Sequence, residues 1–393
     1  VYASSQRPAV DYILDPEVKI AYLRLARSEN VGPIGFFHLI QKFKHPEEAL
    51  ARLKQQPNYK GRICAYDEAR YEIQAHSDKG YHLISYFEDA YPEILRQMKD
   101  PPMFLSVAGS LDVLKSVAFA IVGGRNASQS AHAWIKKHGP EFSTFCETVT
   151  SGLARGVDGW AHEAALDTGL STIAVIAGGL GHIYPPEHKA LYQRICKSGA
   201  VVSEDPLHVS PQAYLFPKRN RIISGLSWGM LVLEASFKSG ALLSAKYALD
   251  YNRSVFVVPG HPLDPRSRGG NRLIKDGACL VEEASDIRKE LSSTRTVASS
   301  YSAREDAVED YTGTREHITD LWASEDTKQT ELAERVLQNL STHPVAIETL
   351  SEQLQCSSLR LRTVLIELEL QGSIHRYPGD AVIANMCKGE SHG

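Results

Sequence analysis

The sequence predicts an α/β protein: a doubly wound, mostly parallel sheet flanked by a small N-terminal helical domain and a C-terminal winged helix. Three observations carry that expectation. Between Val117 and Glu283 the runs "VAFAIVGG", "ETVTSG", "TIAVIAGG", "AVVSED", "GMLVLEA", "SVFVVPG" and "ACLVEE" are apolar without alternation and bounded by glycine or acid, as strands buried on both faces are. Segments of helical spacing such as "DGWAHEAALDTG" and "KSGALLSAKYALD" separate them, the order that builds a parallel sheet. A chain of 393 residues also exceeds one ordinary core, so more than one domain is expected.

Residues 1–85 are expected to be helical, because "KIAYLRLARSENVGPIGFFHLIQKF" repeats apolar residues every three or four positions. The "NVGPIG" inside it resembles the turn of a helix-hairpin-helix, whose glycines bring backbone N–H groups to a phosphate. Pro33 removes one such donor, and a plain connector fits the same residues. "YFEDAYPEILRQMKDPPMFLSVAGS" (Tyr86–Ser110) is punctuated by proline and reads as a linker into the next domain. The sheet domain is placed at 86–290, its strand–helix alternation beginning near Ser116. Thr294–Asp326 is polar, Ser/Thr-rich and aperiodic, so 291–327 reads as a flexible linker. Over 328–388, "TELAERVLQNL", "AIETLSEQL" and "SLRLRTVLIELELQG" are amphipathic helices, and "SIHRYPGDAVIAN" is a hairpin. Together they spell a winged helix. Its third helix sets Arg360 and Arg362 against Glu367 and Glu369, which leaves polyanion reading and protein contact both open.

Composition narrows the function classes. At 43% hydrophobic and 23% charged residues the chain is of the soluble globular type. The six cysteines are scattered with no C-x-x-C pair, which argues against a zinc site or a disulfide framework and fits a reducing cytoplasm. No apolar run reaches the ~18 residues of a membrane span, and no charged-then-apolar leader opens the sequence. Neither a metal nor a cofactor is expected. A net charge of −4 does not exclude a polyanion, which binds through a local patch.

In an open parallel sheet ligands gather beyond the carboxyl ends of the strands. The sequence places glycines there: Gly123 and Gly124, Gly152 and Gly156, Gly178 and Gly179, Gly240 after Ser239, and Gly260. Glycine lets backbone approach a ligand, and a helix N-terminus offers unpaired N–H groups to an anion. Cations fall at the same edge: Arg125, Arg155, Lys218, Arg219 and Arg221. No acid lies between Pro206 and Leu233 or between Asp112 and Glu141, so "LFPKRNR" reads as a locally uncompensated positive turn. Phe216 adds a π-face on which an unpaired base stacks for ~1–3 kcal/mol. "VGGRNAS" lacks the third glycine of a dinucleotide fingerprint, and no P-loop pattern occurs. Asp158 and His162 are four apart on one helix face and within reach of each other; a cap with a hydrogen-bonded neighbour and an acid–base pair both fit. Glu204, Asp205 and Glu234 stand at strand ends, with a spacing that commits to no chemistry.

Taken together, "IVGGRNAS", "VTSGLARGVDGWAHEAAL", "TIAVIAGGLGHIYPPEHKAL", "FPKRNRIISGLS", "VLEASFKSGALLSAKYALDYNRSVFVVPG" and "GGNRLIKDGA" resemble the DprA family, also called Smf, of DNA-processing proteins in bacterial natural transformation. The resemblance implies an extended Rossmann-like domain that binds single-stranded DNA, helps load the RecA recombinase and forms a homodimer. A sterile-alpha-motif-like helical domain in front and a winged helix behind belong to the same pattern. By motif, Arg125 is then the phosphate-contacting arginine, and Arg155 fills the basic position of the "SGLA-[KR]-G" turn. Phe216, Pro217, Lys218, Arg219, Asn220 and Arg221 form the DNA segment. Gly124, Gly181 and Gly270 depart from the family, which commonly has a hydroxyl, an aspartate and a hydroxyl there.

A rival reading is a nucleotide hydrolase of the phosphoribohydrolase type, whose signature "PGGxGTxxE" carries a catalytic glutamate. The counterpart here is "EASFKSGALLSA", with no acid from Ser236 to Leu249. The sequence therefore predicts a binding protein without catalytic residues.

Overall fold

The computed structural model describes residues 14–55, 59–292 and, nearer the C-terminus, 332, 335–340, 345–354, 356, 361, 364, 365, 368, 374–377 and 381–384. The helical N-terminal run forms α1 (Pro16–Arg27), α2 (Pro33–Phe43), α3 (Pro46–Gln55) and α4 (Tyr66–Asp78). Pro33 occupies the first position of α2, where its missing N–H costs the helix nothing. By contact the chain divides into two units. One comprises Val1–Arg27, Gly32–Phe36 and Cys64–Arg304; the other comprises Ser28–Val31, Phe37–Ile63 and Glu305–Gly393.

The first unit is built on a nine-stranded sheet. In chain order it holds β1 (His82–Ser85), α5 (Glu93–Arg96), β2 (Phe104–Gly109), β3 (Ala118–Gly123), α6 (Gln129–His138), β4 (Thr148–Ser151), α7 (Val157–Asp167) and β5 (Ser171–Val175). Then follow α8 (Lys189–Ser198), β6 (Ala200–Ser203), α9 (Leu215–Gly225), β7 (Gly229–Leu233), α10 (Gly240–Asp250), β8 (Ser254–Val257), α11 (Arg268–Lys275) and β9 (Cys279–Leu280). The spatial order is β1-β2-β6-β5-β4-β3-β7-β8-β9. Strands β3 to β9 pair in parallel, whereas β2 joins β6 and β1 joins β2 antiparallel.

The lack of alternation in the apolar runs has a direct cause. In β3, Ala118, Ala120 and Val122 enter one core while Phe119 and Ile121 enter another on the opposite face. Met230 and Val232 of β7 part from Leu231 and Leu233 in the same way. The parallel part of the sheet begins at β3, runs outward to β6, and returns to lay β7 on the other side of β3. The loops after β3 and β7 therefore diverge and leave a crevice between them.

Two sequence expectations are corrected here. Tyr86–Ser110 is not a linker: Phe104–Gly109 is β2, almost wholly buried, and Pro101 and Pro102 stand ahead of the strand, where no ladder N–H is lost. Strand β1, within the residues assigned to the helical domain, pairs with it. The two bury polar groups only with partners; Ser106 meets His76 Nε2 at 2.7 Å. A helix also runs over 284–292, across the position where the linker was expected to start. The remainder of that linker, and Arg360, Arg362, Glu367 and Glu369, lie outside the described residues.

In the second unit, β10 (Val345–Ala346), β11 (Ile374–Tyr377) and β12 (Ala381–Ala384) form an antiparallel sheet in the order β10-β12-β11. Leu332, Val336, Leu350, Val364, Leu365 and Val382 are among the side chains of its core. This is the wing and helix packing that the C-terminal periodicity predicts.

The segment read as a positive turn is α9, and its charge is not uncompensated. Arg221, 4% exposed, pairs with Glu204 at the end of β6 at 2.6 Å and donates to the Asp100 carbonyl. Lys218 lies 3.3 Å from both Glu204 and Asp205. The counter-charges are Glu204 and Asp205, which follow β6 just ahead of the acid-free stretch and are brought back onto α9 by the fold. Burial alone would raise the Glu204 carboxyl, but Arg221 and Lys218 hold it below its ordinary value of 4.5. Its stabilisation is thus present above that value and lost as pH falls through the folded pKa. Glu204→Gln leaves the Arg221 guanidinium buried without its counter-charge and is expected to cost about 3–5 kcal/mol in urea unfolding at pH 7. The gap from wild type should close as the pH drops below 4.5; a gap that persists in acid would show that the loss is not electrostatic.

Candidate functional site

Where β3 and β7 lie side by side, a cleft of about 570 Å³ opens beyond their carboxyl ends. The end of β3 contributes Gly123, the β3–α6 loop Gly124, Arg125 and Asn126, and the start of α7 Asp158. Helix α9 adds Arg219 and Asn220, the β7–α10 turn adds Glu234, Lys238, Ser239 and Gly240, and Arg266 closes the rim ahead of α11. Four cations therefore face two carboxylates.

The glycines here are demanded by backbone contact. A Cβ on Gly123 would run into the Leu233 carbonyl, and one on Gly124 would come within 2.8 Å of the Glu234 carbonyl. Gly156 has φ +72°, a region that side chains disfavour. Two of the helices that start beside the cleft, α6 and α10, are capped by serines. Ser128 accepts from Ala131 N at 3.2 Å and Ser239 from Ala241 N at 3.2 Å. Gly240, first residue of α10, lines the cleft; Ala241 N and Leu242 N are taken by Ser239, which leaves the Gly240 N–H as the group of that helix terminus open to an anion.

Arg219 is the organising side chain. It is only 6% exposed, and its Nη1 donates to the carbonyls of Gly152 and Val175 at the ends of β4 and β5. Its Nε has no hydrogen-bond partner among the described residues. Burial pushes the guanidinium down to about 10, against the pull of Asp158 and with the push of Arg125, so it stays charged at neutral pH. Burial likewise raises the Asp158 carboxyl, although Arg219 and the Ala154 N–H oppose the shift. Phe216, one helical turn before Arg219, is half-buried and edge-on to Tyr184 at 5.7 Å. The Arg125 guanidinium lies 5.0 Å from its ring centroid and that of Arg219 5.9 Å.

Of the residues singled out from sequence, Gly123, Gly124, Arg125, Arg219, Asn220, Ser239 and Gly240 meet in this cleft. Gly152 and Gly156 pack immediately behind it, and Phe216 reaches it through Arg125. Pro217 is exposed. Lys218 and Arg221 turn instead to the β6 acids, because positions three apart share a helix face. Arg221, expected to contact a ligand, is a buried structural cation. Arg155 is exposed but ion-paired with Glu187.

Asp158 and His162 do not form an acid–base pair. Asp158 Oδ2 accepts from Ala154 N at 3.4 Å, whereas His162 Nδ1 meets the Thr172 hydroxyl at 2.6 Å. Burial pushes His162 down to about 3. Asp205 accepts from Gly178 N at 3.1 Å, and both Glu234 oxygens are taken by Ser128. Lys238, Arg266 and Arg268 escaped the sequence reading, although "ASFKSG" and "DPRSRGGNR" follow strands just as "VGGRNAS" does. Among the described residues no group of three or more His, Cys, Asp or Glu gathers as a metal site, and no helix is long and apolar enough to cross a membrane.

Comparison with known proteins agrees with this architecture. Residues 82–292 match the family of DNA recombination-mediator protein A, residues 16–75 a DprA-like N-terminal HHH domain, and residues 323–380 a DprA winged helix domain. Protein Smf of Escherichia coli (strain K12) is 45% identical over 212 residues, which span 54% of this chain and 57% of that protein. The DNA processing protein DprA of Bacillus subtilis (strain 168) is 39% identical over 220 residues, 56% of this chain and 74% of that one. The X-ray structure of DprA from Streptococcus pneumoniae superposes with a TM-score of 0.60 at 32% identity, covering 71% of this chain and 99% of that chain.

The fit around Arg219 yields a stability test. A Cβ on Gly152 would collide with Arg219 Nη1 and lie 2.6 Å from Asp158 Oδ2. Gly152→Ala is expected to destabilise the protein by about 1–3 kcal/mol in chemical unfolding. Wild-type stability in that variant would mean that Arg219 is not locked where it is described.

Proposed function

The chain belongs to the DprA family, and on that premise we propose that it binds single-stranded DNA at the β3/β7 cleft, protects incoming strands and loads the RecA recombinase on them during natural transformation. The observation that carries the binding step is Arg219: a buried, charged guanidinium with an unsatisfied Nε, lining the cleft onto which the N-terminus of α10 opens. A phosphodiester in the cleft would neutralise the Arg219 charge at its wall and accept from the Gly240 N–H. Each helix end adds ~0.3–1 kcal/mol toward an anion, and Arg125 and Lys238, which carry no ion pair among the described residues, supply further charge.

Phe216 selects for unpaired bases. Its contact with Arg125 is worth ~0.5–1 kcal/mol at an exposed site, less than the ~1–3 kcal/mol of a stacked base. A base therefore displaces the guanidinium from the ring, and the released guanidinium is free to take a phosphate. Duplex DNA keeps its bases stacked internally and gains nothing at Phe216. Little sequence preference follows, since every base has a π-face.

Binding without catalysis is the reading these contacts support. The two cleft carboxylates are engaged, Glu234 by Ser128 and Asp158 by Ala154, and Ser236–Leu249 holds no acid for ribosyl hydrolysis. Action in the cytoplasm as a homodimer through the sheet domain completes the proposal and rests on the family resemblance.

Polarisation of a fluorescent oligothymidine tests it. Wild type should bind the single strand in preference to a duplex competitor, and Arg125→Ala and Phe216→Ala should each weaken binding about tenfold. Undiminished affinity in both variants would move the DNA site out of this cleft.

A further inference from the structure

We propose that Phe237 and Arg268 form a second base-stacking platform, so that a single strand crosses the switch point with one base on Phe216 and a later base on Phe237. The inference rests on the single-strand reading above and adds a register to it.

Phe237 is 59% exposed, in the β7–α10 turn between the cleft-lining Ser236 and Lys238. It belongs to none of the sheet unit's apolar clusters. The Arg268 guanidinium stands 5.3 Å from its ring centroid. This repeats the pairing of Arg125 with Phe216 at 5.0 Å, with nothing in the chain order linking the two pairs.

The turn that presents Phe237 is held firmly. Gly269 N and Gly270 N both donate to the Ala235 carbonyl, at 2.8 and 3.1 Å, and Ser239 N donates to Ser236 O at 2.9 Å. A side chain on Gly269 would come within 2.9 Å of the Ser236 carbonyl, so the start of α11, which carries Arg268, is fastened to the turn that carries Phe237. Ring and guanidinium are thereby preorganised relative to one another, which lowers the ordering cost of stacking.

The two platforms lie on different sides of the reversal in strand order. Phe216 belongs to the β4–β5 side, where Arg219 bonds Gly152 and Val175. Phe237 belongs to the β7–β8 side, where Gly269 bonds Ala235. Arg219 and Gly240 stand in the cleft between them. The charges on the Phe237 side suit a polyanion. Arg266 is matched by Asp264 at 2.7 Å, but Lys238 and Arg268 have no ion pair among the described residues. An aromatic face beside an unmatched cation, on each flank of a cleft that holds a phosphate, fits alternating bases and phosphates.

The test uses the full chain and oligothymidines of about 4 and about 16 nucleotides, the range of strand lengths that single-strand sites cover. Phe237→Ala and Phe237→Leu should weaken the long strand by about fivefold or more and leave the short one, which occupies the Phe216 platform alone, nearly unchanged. Phe237→Trp should restore wild-type affinity. A 2-aminopurine base stepped along the long strand should lose its stacking quench at one position in Phe237→Leu and at a different position in Phe216→Leu. If wild type and Phe216→Ala behave as the single-strand reading requires but both Phe237 variants bind the long strand as tightly as wild type, the second platform is overturned and the first stands. If wild type binds neither strand, both readings fall.

Discussion

The guanidinium of Arg219, held beneath the carboxyl ends of β4 and β5 by the carbonyls of Gly152 and Val175, is the constraint on which the rest of the site depends. A buried arginine costs several kcal/mol in lost solvation unless its donors find acceptors, and two strand-end carbonyls meet that demand only because residue 152 has no side chain. Once this contact is made, α9 cannot rotate. Phe216 is carried to the rim one turn earlier, while Lys218 and Arg221 are carried away to the acids of β6. One helix thus separates cations that hold the fold from a cation that faces the cleft.

The same division runs through the electrostatics. The first unit uses carboxylates from neighbouring elements to neutralise its structural cations: Glu204 for Arg221, Glu204 and Asp205 for Lys218, and Glu72 of α4 for Arg27 at 2.7 Å. Among the described residues, the cleft is left with Arg125 and Lys238 without ion pairs and with Arg219 incompletely satisfied. A chain with a net charge of −4 can therefore present a cationic site, because field at a low-dielectric cleft is set by nearby charges and not by the total.

Much of this was legible in the sequence, for physical reasons that can be named. The strands announced themselves because burial on both faces removes alternation, as in Ala118–Val122. The glycines marked the switch point because backbones touch there, as Gly123 does Leu233. Strand β2 was hidden by Pro101 and Pro102, which punctuate as a linker does. The roles of Arg219, Lys218 and Arg221 were hidden because helical phase decides which of them turn back to the acids at the end of the preceding strand. Lys238 and Arg268 carried the same signal as Arg125, a cation just beyond a strand, and were passed over beside the denser "FPKRNR".

The most direct test of the account is the salt dependence of single-strand affinity. With Arg125, Arg219, Lys238, Arg266 and Arg268 as the contacting cations, about three to five phosphates are neutralised per protomer, and log K should fall against log salt with a slope of roughly −2 to −3.5. The double variant Lys238→Ala/Arg268→Ala should be shallower by about 1.4. A slope near zero in wild type would contradict the claim that this cleft holds a polyanion.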